Sequence, residues 1–344
     1  MSVGFITRDF SGIFPNLIPG GCAYYRSYLP MAVTGHRLIG PPVFDPMQGF
    51  GIKDSFTTGI FGFKTVSLKL IMDRWTAKQI ELSQNLGQRV FVDVDDYYEG
   101  LTPANKAYHL SHPEHNKISN RAHYENVIAA ADLITVSTPF LLDYYKSKYP
   151  NVVMVRNGVN MQQFTPIKHK NNRPVLGWTG STEYRNNDLE QLREWLPEFL
   201  EEHDLYFHHA GASGDVSFAD LTGINPNRLR TSPIVPITEY AAGLKFDIGL
   251  VPLNSIPFNE AKSNIKGLEY AAAGIPFIAS DLPEYRLLAE DGVGILANTA
   301  DEWRAAAENL LDRHYRRQYA ERGREVVKAN WSIEARALEW SGIY

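Results

Sequence analysis

The sequence predicts an α/β protein made of two Rossmann-like, doubly wound domains with parallel sheets. Short runs rich in β-branched and aromatic residues alternate with helical patterns on both sides of one polar, proline-bracketed segment. The chain has 344 residues, more than a single hydrophobic core usually supports. No short repeat or low-complexity tract interrupts the alternation. We therefore expect two domains, each a parallel sheet covered by helices.

The first half of the chain alternates predicted strands with predicted helices. The strands are Val3–Thr7, Thr65–Ile71, Arg89–Val94, Leu133–Ser137 and Val152–Val155. The helices are Ala23–Thr34, Thr76–Leu86, Asn116–Ala131 and Pro139–Lys148. The last helix has the clearest start, because Thr138 is a good N-cap residue and Pro139 takes the first helical position.

A polar segment, Thr165–Pro174, lacks apolar periodicity and is predicted to be the linker. The strands predicted beyond it are Val175–Trp178, Leu205–His209, Asp247–Pro252 and Pro276–Ser280. The helices are Asp188–His203, Thr238–Leu244, Ser263–Ala273 and two runs between Ala300 and Lys328. We place a first domain at residues 1–165, a second at 166–328 and a final amphipathic helix at 329–344, which contacts either the first domain or a second copy.

The composition argues against several classes of protein. With 44% apolar and 21% charged residues the chain can bury real cores, and a net charge of -5 without a dense Lys/Arg block argues against an electrostatic nucleic-acid binder. The single cysteine, Cys22, allows neither an intramolecular disulfide nor a cysteine-based zinc site. No run approaches the ~20 apolar residues that span a bilayer. We expect a soluble, cytoplasmic protein.

The stretch "IPFNEAKSNIKGLEY" at residues 256–270 is predicted to bind phosphate. Lys262, Ser263, Asn264 and Lys266 place positive charge and free backbone N–H groups at the start of a helix, whose dipole already favours an anion. Glu269 follows on nearly the same face and can accept hydrogen bonds from ribose hydroxyls. The alternative is an ordinary helix with a salt bridge from Lys266 to Glu269.

Two glycine-containing loops follow predicted strands, where ligands of such domains bind. In "IPGGCAYYRSYLP", Gly20 and Gly21 allow close backbone approach and precede Tyr24, Tyr25 and Arg26. We expect this loop to contact the acceptor or a phosphate. A plain turn before a helix remains the alternative.

The second glycine-containing loop lies in "VLGWTGSTEYRNNDL". Gly180 and Ser181 form a loop of small residues that can wrap an oxygen-rich group, and Arg185 offers a fork of donors to phosphate. The alternative is a solvated turn with a surface arginine.

Three aspartates, Asp93, Asp95 and Asp96, end a central strand in "FVDVDDYYEGL". Carboxylates at that position can deprotonate or orient an acceptor hydroxyl, and they can also hold a divalent metal through oxygen ligands. Capping of the next turn is the structural alternative.

Four stretches, taken in order, resemble the retaining glycosyltransferases of the GT-B fold, in particular family 4 and its relatives. They are "ADLITVSTPFLLDYY", "VVMVRNGVNMQQFTP", "FDIGLVPL" and "KSNIKGLEYAAAGIPFIASDLPEYRLL". The resemblance covers nearly the whole chain, is most specific in Asn157–Phe164 and Lys262–Ser280, and is faint in the first 130 residues. It implies two Rossmann-like domains facing a cleft, with acceptor bound by the first and nucleotide sugar by the second.

The resemblance also implies roles for single residues. Glu269 matches the glutamate that holds the donor ribose, and Lys262 matches a lysine at the diphosphate. Gly180 and Ser181 match the small loop opposite the same phosphates.

At one position the chain departs from this pattern. The family's first glutamate falls at Ala261, beside Glu260. The resemblance therefore leaves open whether Glu260, Asn259 or backbone amides contact the donor sugar.

The function implied is transfer of a sugar from a nucleotide-diphosphate sugar to an acceptor hydroxyl with retention of configuration. Asp95, Asp96 and Lys262 are the expected catalytic residues. The sequence offers no nucleophile elbow and no cysteine–histidine pair, so a covalent acyl-type intermediate has no candidate. No cofactor or metal is expected. The acceptor stays open among glycan, lipid, protein and modified nucleic acid. An inactive nucleotide-sugar binder and a GT-B epimerase or phosphorylase are the alternatives.

Overall fold

In the computed structural model the chain forms two six-stranded parallel sheets, one in each half. The structure describes residues 3–7, 9–11, 18–35, 37–38, 44–45, 49–50, 63–116, 120–168, 173–183 and 185–343. The prediction of two parallel-sheet, Rossmann-like domains is confirmed.

The first sheet is built from strands whose residues are almost all buried, as expected of a parallel sheet covered on both faces. The strands described in this half are β1 (Val3–Ile6), β2 (Phe10–Ser11), β3 (Ile18–Pro19), β4 (Arg37–Leu38), β5 (Phe44–Asp45), β6 (Gly49–Phe50), β7 (Thr65–Lys69), β8 (Arg89–Val94), β9 (Leu133–Val136) and β10 (Val152–Met154). The sheet has the order β10-β9-β8-β7-β1-β4, while β2–β3 and β5–β6 are short antiparallel ribbons.

Helices connect these strands. They are α1 (Gly21–Ala23), α2 (Leu29–Thr34), α3 (Thr76–Asn85), α4 (Tyr108–Ser111), α5 (Arg121–Ala129) and α6 (Pro139–Lys146). A π-helical segment, Tyr24–Tyr28, joins α1 to α2. Thr138 caps α6 by accepting from the Leu141 N–H at 3.4 Å. The predicted helix Asn116–Ala131 is shorter, because the Asn116 side chain bonds to the His112 carbonyl instead; residues 117–119 lie outside the described part.

The second sheet repeats the architecture. Its strands are β11 (Leu176–Thr179), β12 (Phe207–Ala210), β13 (Leu229–Ser232), β14 (Ile248–Val251), β15 (Phe277–Ser280) and β16 (Ile295–Ala297). The order is β13-β12-β11-β14-β15-β16, with every neighbouring pair parallel. Sequence analysis did not predict β13 or β16. The first is a polar strand at the sheet edge, and the second has only three residues.

The helices of this half are α7 (Leu196–Glu202), α8 (Phe218–Thr222), α9 (Pro257–Glu260), α10 (Ile265–Ala272), α11 (Pro283–Glu290), α12 (Ala300–Leu311) and α13 (Arg313–Val326). The prediction of a single helix at Asp188–His203 is wrong. A 3₁₀ helix, Asp188–Leu192, ends before α7, because Pro197 in the first turn of α7 cannot donate to a preceding carbonyl. The predicted helix at 238–244 is a 3₁₀ helix, Ile237–Gly243, that follows Pro236. Of the predicted linker, residues 169–172 lie outside the described part.

The last helix, α14 (Ile333–Ile343), follows a π-helical segment, Val327–Trp331, and packs on the first domain. Trp340 is fully buried there with Val3 and Phe5. The rings of Phe5 and Trp340 lie 6.4 Å apart. None of the described helices is long and apolar enough to cross a membrane.

The two domains meet along the carboxyl ends of their sheets. The Thr138 hydroxyl donates to the Ala261 carbonyl at 2.9 Å, and Arg156 pairs with Glu284 at 2.6 Å. These contacts bring the loops after β8 and β11 to opposite sides of one cleft.

Candidate functional site

A cavity of about 320 Å³ lies between the domains. The first domain contributes Gly21, Cys22, Tyr25, Arg26, Asp95, Asp96 and Asn157 to its wall. The second contributes Thr179, Gly180, Arg185, Ile237, Tyr240, Val251, Leu253, Lys262, Ser263, Ile265, Lys266, Glu269 and Tyr285. The structure therefore brings together most of the site residues predicted from four separate segments.

The start of α10 faces this cavity with two of its predicted polar residues. The Lys262 ammonium lies 4.2 Å from the centre of the Phe258 ring and 3.9 Å from Asp96 Oδ1, and its side chain is 23% exposed. Ser263 Oγ accepts a hydrogen bond from Asn157 Nδ2 at 2.9 Å. Asn264 is buried elsewhere, where Nδ2 donates to the Glu284 carbonyl at 3.2 Å. Asn264 thus anchors the helix start and does not line the cavity.

Lys266 and Glu269 lie deeper in the cavity wall, on the next turn of α10. Lys266 Nζ donates to the Thr179 carbonyl at 2.6 Å, and desolvation lowers the pKa of Lys266 to about 7. Glu269 is buried and accepts from the Tyr25 hydroxyl at 2.5 Å. Burial raises the pKa of Glu269, although Lys266 and Tyr25 oppose the shift. Neither residue is a member of a solvated surface pair.

The loop after β11 closes the cavity from the second domain. Gly180 has φ +140, and a Cβ there would lie 2.6 Å from an Arg185 guanidinium nitrogen, so this position requires glycine. Arg185 stacks over the Trp178 ring at 5.1 Å and donates from Nε to the Ser181 carbonyl at 3.1 Å. The guanidinium is thereby held at the cavity edge.

The three aspartates at the end of β8 have three different environments. Asp93 is buried and holds the Arg26 guanidinium, with Nη2 to Oδ1 at 2.6 Å. Asp95 forms a buried ion pair with Lys69; burial alone would raise its pKa, but Lys69 keeps the pKa below the usual value. Asp96 faces Lys262 with its side chain 32% exposed, and desolvation raises its pKa against the effect of Lys262. Asp95 and Asp96 both line the cavity, and Asp96 is the more exposed of the two and has no close ion pair among the described residues.

Of the two glycines in the first loop, Gly20 has a structural reason. The Asp9 carboxylate accepts from the Ala23 N–H at 2.8 Å at the start of α1. A Cβ on Gly20 would lie 1.9 Å from that carboxylate. Gly21 lines the central cavity. An adjoining cavity of about 500 Å³ is lined by Gly20, Gly21, Gly180 and Ser181 among others.

Two residues of this loop, the aromatic Tyr24 and the basic Arg26, are buried and make their contacts within the protein. Tyr24 packs edge-on against Tyr25 with ring centres 5.1 Å apart. Arg26 is 1% exposed, and its guanidinium donates hydrogen bonds to Asp93, the Val155 carbonyl and Asn157. We therefore do not retain Arg26 as a direct phosphate ligand.

Sequence reasoning missed several residues of the cavity wall. Asn157 stood in the stretch that resembles the glycosyltransferases, but its side-chain role was not assigned. Lys69 does not line the cavity but pairs with Asp95, and it was detectable as a lone charged residue in the buried strand β7. Tyr240 lies in the 3₁₀ helix, and its hydroxyl is 2.6 Å from Thr179 Oγ1. Among the described residues, no group of three or more His, Cys, Asp or Glu side chains is placed to hold a metal.

The amino-acid sequence is similar to known glycosyltransferase sequences. Residues 187–342 match a family described as "Glycosyl transferase-like". A putative teichuronic acid biosynthesis glycosyltransferase, TuaH of Bacillus subtilis (strain 168), is 27% identical over 238 residues. The match spans 63% of this chain and 58% of the relative.

Solved structures share the whole fold. HepE of Anabaena, in complex with UDP-glucose, aligns with a TM-score of 0.69 at 13% identity over 100% of this chain and 99% of that one. Sucrose-phosphate synthase of Thermosynechococcus elongatus gives 0.67 at 16% identity, over 100% and 98%. The chain has the GT-B fold, and part of its sequence is similar to glycosyltransferases.

Proposed function

We propose that the protein is a retaining glycosyltransferase, akin to family 4, that transfers a sugar from a nucleotide-diphosphate sugar to an acceptor hydroxyl. One observation carries the proposal. Lys262, Lys266 and Arg185 converge on one interdomain cavity that also contains the buried carboxylate of Glu269. Cations suit a diphosphate, and a carboxylate suits a ribose. The UDP-glucose bound by the structural relative HepE is a ligand of this chemistry.

The diphosphate is assigned to the space between the three cations. Lys262 is partly exposed to the cavity, and Arg185 is oriented by Trp178 and the Ser181 carbonyl. Because Arg185 is held in place before the ligand arrives, it stabilises charge that grows on the leaving diphosphate without reorganising.

We assign binding of the ribose to Glu269. One oxygen accepts from Tyr25 at 2.5 Å, but a carboxylate offers about four lone-pair positions and retains capacity for ribose hydroxyls. The adjoining cavity, bordered by Tyr240 and the 3₁₀ helix, then receives the base.

We assign binding of the donor sugar to Asp96, which takes the role of the family's first glutamate. Ala261 is 1% exposed and packs at the domain interface, so its position does not open on the cavity. Asn259 donates to Asp188 and is buried, and Glu260 does not line the cavity. Asp96 comes from the opposite domain and faces the same space as Lys262.

The proposed reaction uses these residues for positioning and electrostatics. The bond from the sugar's anomeric carbon to the diphosphate oxygen breaks while the acceptor oxygen bonds to that carbon on the same face. The acceptor's proton passes to the departing phosphate oxygen. Lys262 and Arg185 stabilise the leaving group, and Asp96 orients hydroxyl groups. No protein nucleophile takes part.

Donor turnover tests the proposal. A panel of nucleotide sugars is screened by thermal shift, and the stabilising ones are assayed for release of nucleoside diphosphate. A transferase releases the nucleotide slowly without acceptor and faster with one. Binding without release indicates an inactive binder, and a changed sugar without release indicates an epimerase. If no nucleotide sugar stabilises the protein, the proposal is wrong.

Glu269→Gln is expected to bind UDP more weakly while treating dUDP more like the wild type does. The deoxy ligand has already lost one ribose hydroxyl, so the two changes should be coupled by about 0.5–1.5 kcal/mol. Titration calorimetry of both ligands on both proteins measures this coupling. Glu260→Gln, outside the cavity, is the matched control. Zero coupling with an intact fold would remove Glu269 from the ribose site.

Affinity for UDP-glucose is expected to fall as pH rises through 7. With its pKa lowered to about 7, Lys266 is charged below that pH and neutral above it, so binding a diphosphate above pH 7 requires proton uptake. Between pH 6.5 and 8 the loss should approach about ten-fold. Lys266→Arg keeps its charge throughout and should flatten the profile. A flat wild-type profile would contradict the assignment of Lys266 to the diphosphate.

A further inference from the structure

A line of hydrogen bonds runs from the core of the first domain to Ser263, just before α10 of the second. Arg26 donates from Nε and Nη2 to Asp93, and from Nη1 to Asn157 Oδ1 at 3.0 Å. Asn157 in turn donates from Nδ2 to Ser263 Oγ at 2.9 Å. Arg26, Asp93 and Asn157 are at most 7% exposed, and Ser263 lines the cavity.

The direction of this line is fixed by chemistry. A guanidinium has donors only, so the amide of Asn157 must turn its oxygen to Arg26 and its NH₂ to Ser263. Asp93 fixes the guanidinium in turn, because the carboxylate also accepts from the Thr135 hydroxyl at 2.7 Å and is held on two sides.

A consequence follows for Ser263. In its bond to Asn157 the Ser263 oxygen is the acceptor, so the hydroxyl proton is not used there. A serine hydroxyl whose lone pair is engaged in this way is set to donate. Its neighbour Lys262 places positive charge at the same helix start.

We propose that Asn157, oriented by Arg26, is a positioning residue that sets Ser263 to donate its hydroxyl proton to a phosphate oxygen of the bound nucleoside diphosphate. This inference rests on the proposed function and adds to it. It gives the first domain a part in binding the leaving group, because Asn157 acts there through Ser263. It also explains why an asparagine stands at this position: a side chain is needed that accepts on one side and donates on the other.

The test is Asn157→Asp, which keeps the shape and reverses the polarity. The aspartate accepts from Arg26 as before, but it also accepts from the Ser263 hydroxyl and withdraws that proton from the ligand. We expect UDP and inorganic pyrophosphate to bind Asn157→Asp and Ser263→Ala each about five- to ten-fold more weakly. Asn157→Ala leaves the Ser263 proton free and should lose only about two-fold. Melting temperature checks that Asn157→Asp remains folded.

The double variant separates polarity from charge. If the aspartate acts through Ser263, Asn157→Asp should cost little further affinity once Ser263 is alanine. If it only repels phosphate, it costs the same in both backgrounds, and the proposal is overturned. Asn151→Asp, where Nδ2 donates to the Ala131 carbonyl away from the cavity, is the matched control and should bind like the wild type.

Failure of the two proposals can be told apart. If the wild type binds neither UDP nor pyrophosphate, the proposed function and this inference fail together. If the wild type binds and Asn157→Asp binds equally well, only the positioning role is wrong.

Discussion

Lys69→Met is expected to lower the free energy of unfolding by about 3–5 kcal/mol, because it leaves the Asp95 carboxylate buried without its partner. The Lys69 and Asp95 side chains are only 8% and 9% exposed, so water replaces little of the lost interaction with the ammonium. Urea denaturation measures the change. Lys64→Met, at an exposed position just before the same strand, serves as the control and should change stability little.

The double variant Lys69→Met/Asp95→Leu identifies the cause. Replacing both charges with apolar groups should recover most of the lost stability, because no unpaired charge remains. A single-variant loss below about 1 kcal/mol would show that the pair is solvated in the protein, and Asp95 would return as a candidate for the chemistry.

Lys262→Ala is expected to weaken nucleotide-sugar binding by about ten- to a hundred-fold without unfolding the protein, since a charge-assisted bond to phosphate contributes roughly 1.5–3 kcal/mol. Its side chain is partly exposed and its ion-pair distance to Asp96 is long, 3.9 Å, so the fold should tolerate the loss. Titration with UDP-glucose and a melting curve give both quantities. Lys328→Ala removes an exposed lysine of the same domain and should change neither. Equal affinity in the two variants would remove Lys262 from the phosphate site.

The sheets could be predicted from the sequence because most of their strands are short runs containing β-branched and aromatic residues between turn residues. Val3–Ile6 and Thr65–Lys69 are buried along their length, and the boundaries differ from those predicted by one or two residues. The strand Leu229–Ser232 could not be predicted in the same way, because Arg230 and Thr231 are exposed at the sheet edge and give no periodic signal.

Part of the candidate site could also be predicted, since charge near glycine and a helix start is visible in the sequence. Lys262 and Glu269 line the cavity as expected of a ligand site. The sequence did not distinguish Asp95 from Asp96, because the distinction depends on Lys69, which reaches Asp95 from the neighbouring strand.

The same limit applies to the first glycine-containing loop. Arg26 resembled a ligand in the sequence because it follows two glycines, yet its partners Asp93 and Asn157 lie 67 and 131 positions along the chain. Such long-range pairing has no local pattern, so only the fold shows that Arg26 is occupied.

A crystal structure of the protein with UDP tests the central claim most directly. We expect phosphate oxygens within about 3.2 Å of Lys262 Nζ and Ser263 Oγ, and ribose hydroxyls at the same distance from the Glu269 carboxylate. The base should enter the cavity beside Tyr240. UDP bound outside the cavity between the domains, or with its phosphates away from Lys262 and Ser263, would contradict the account.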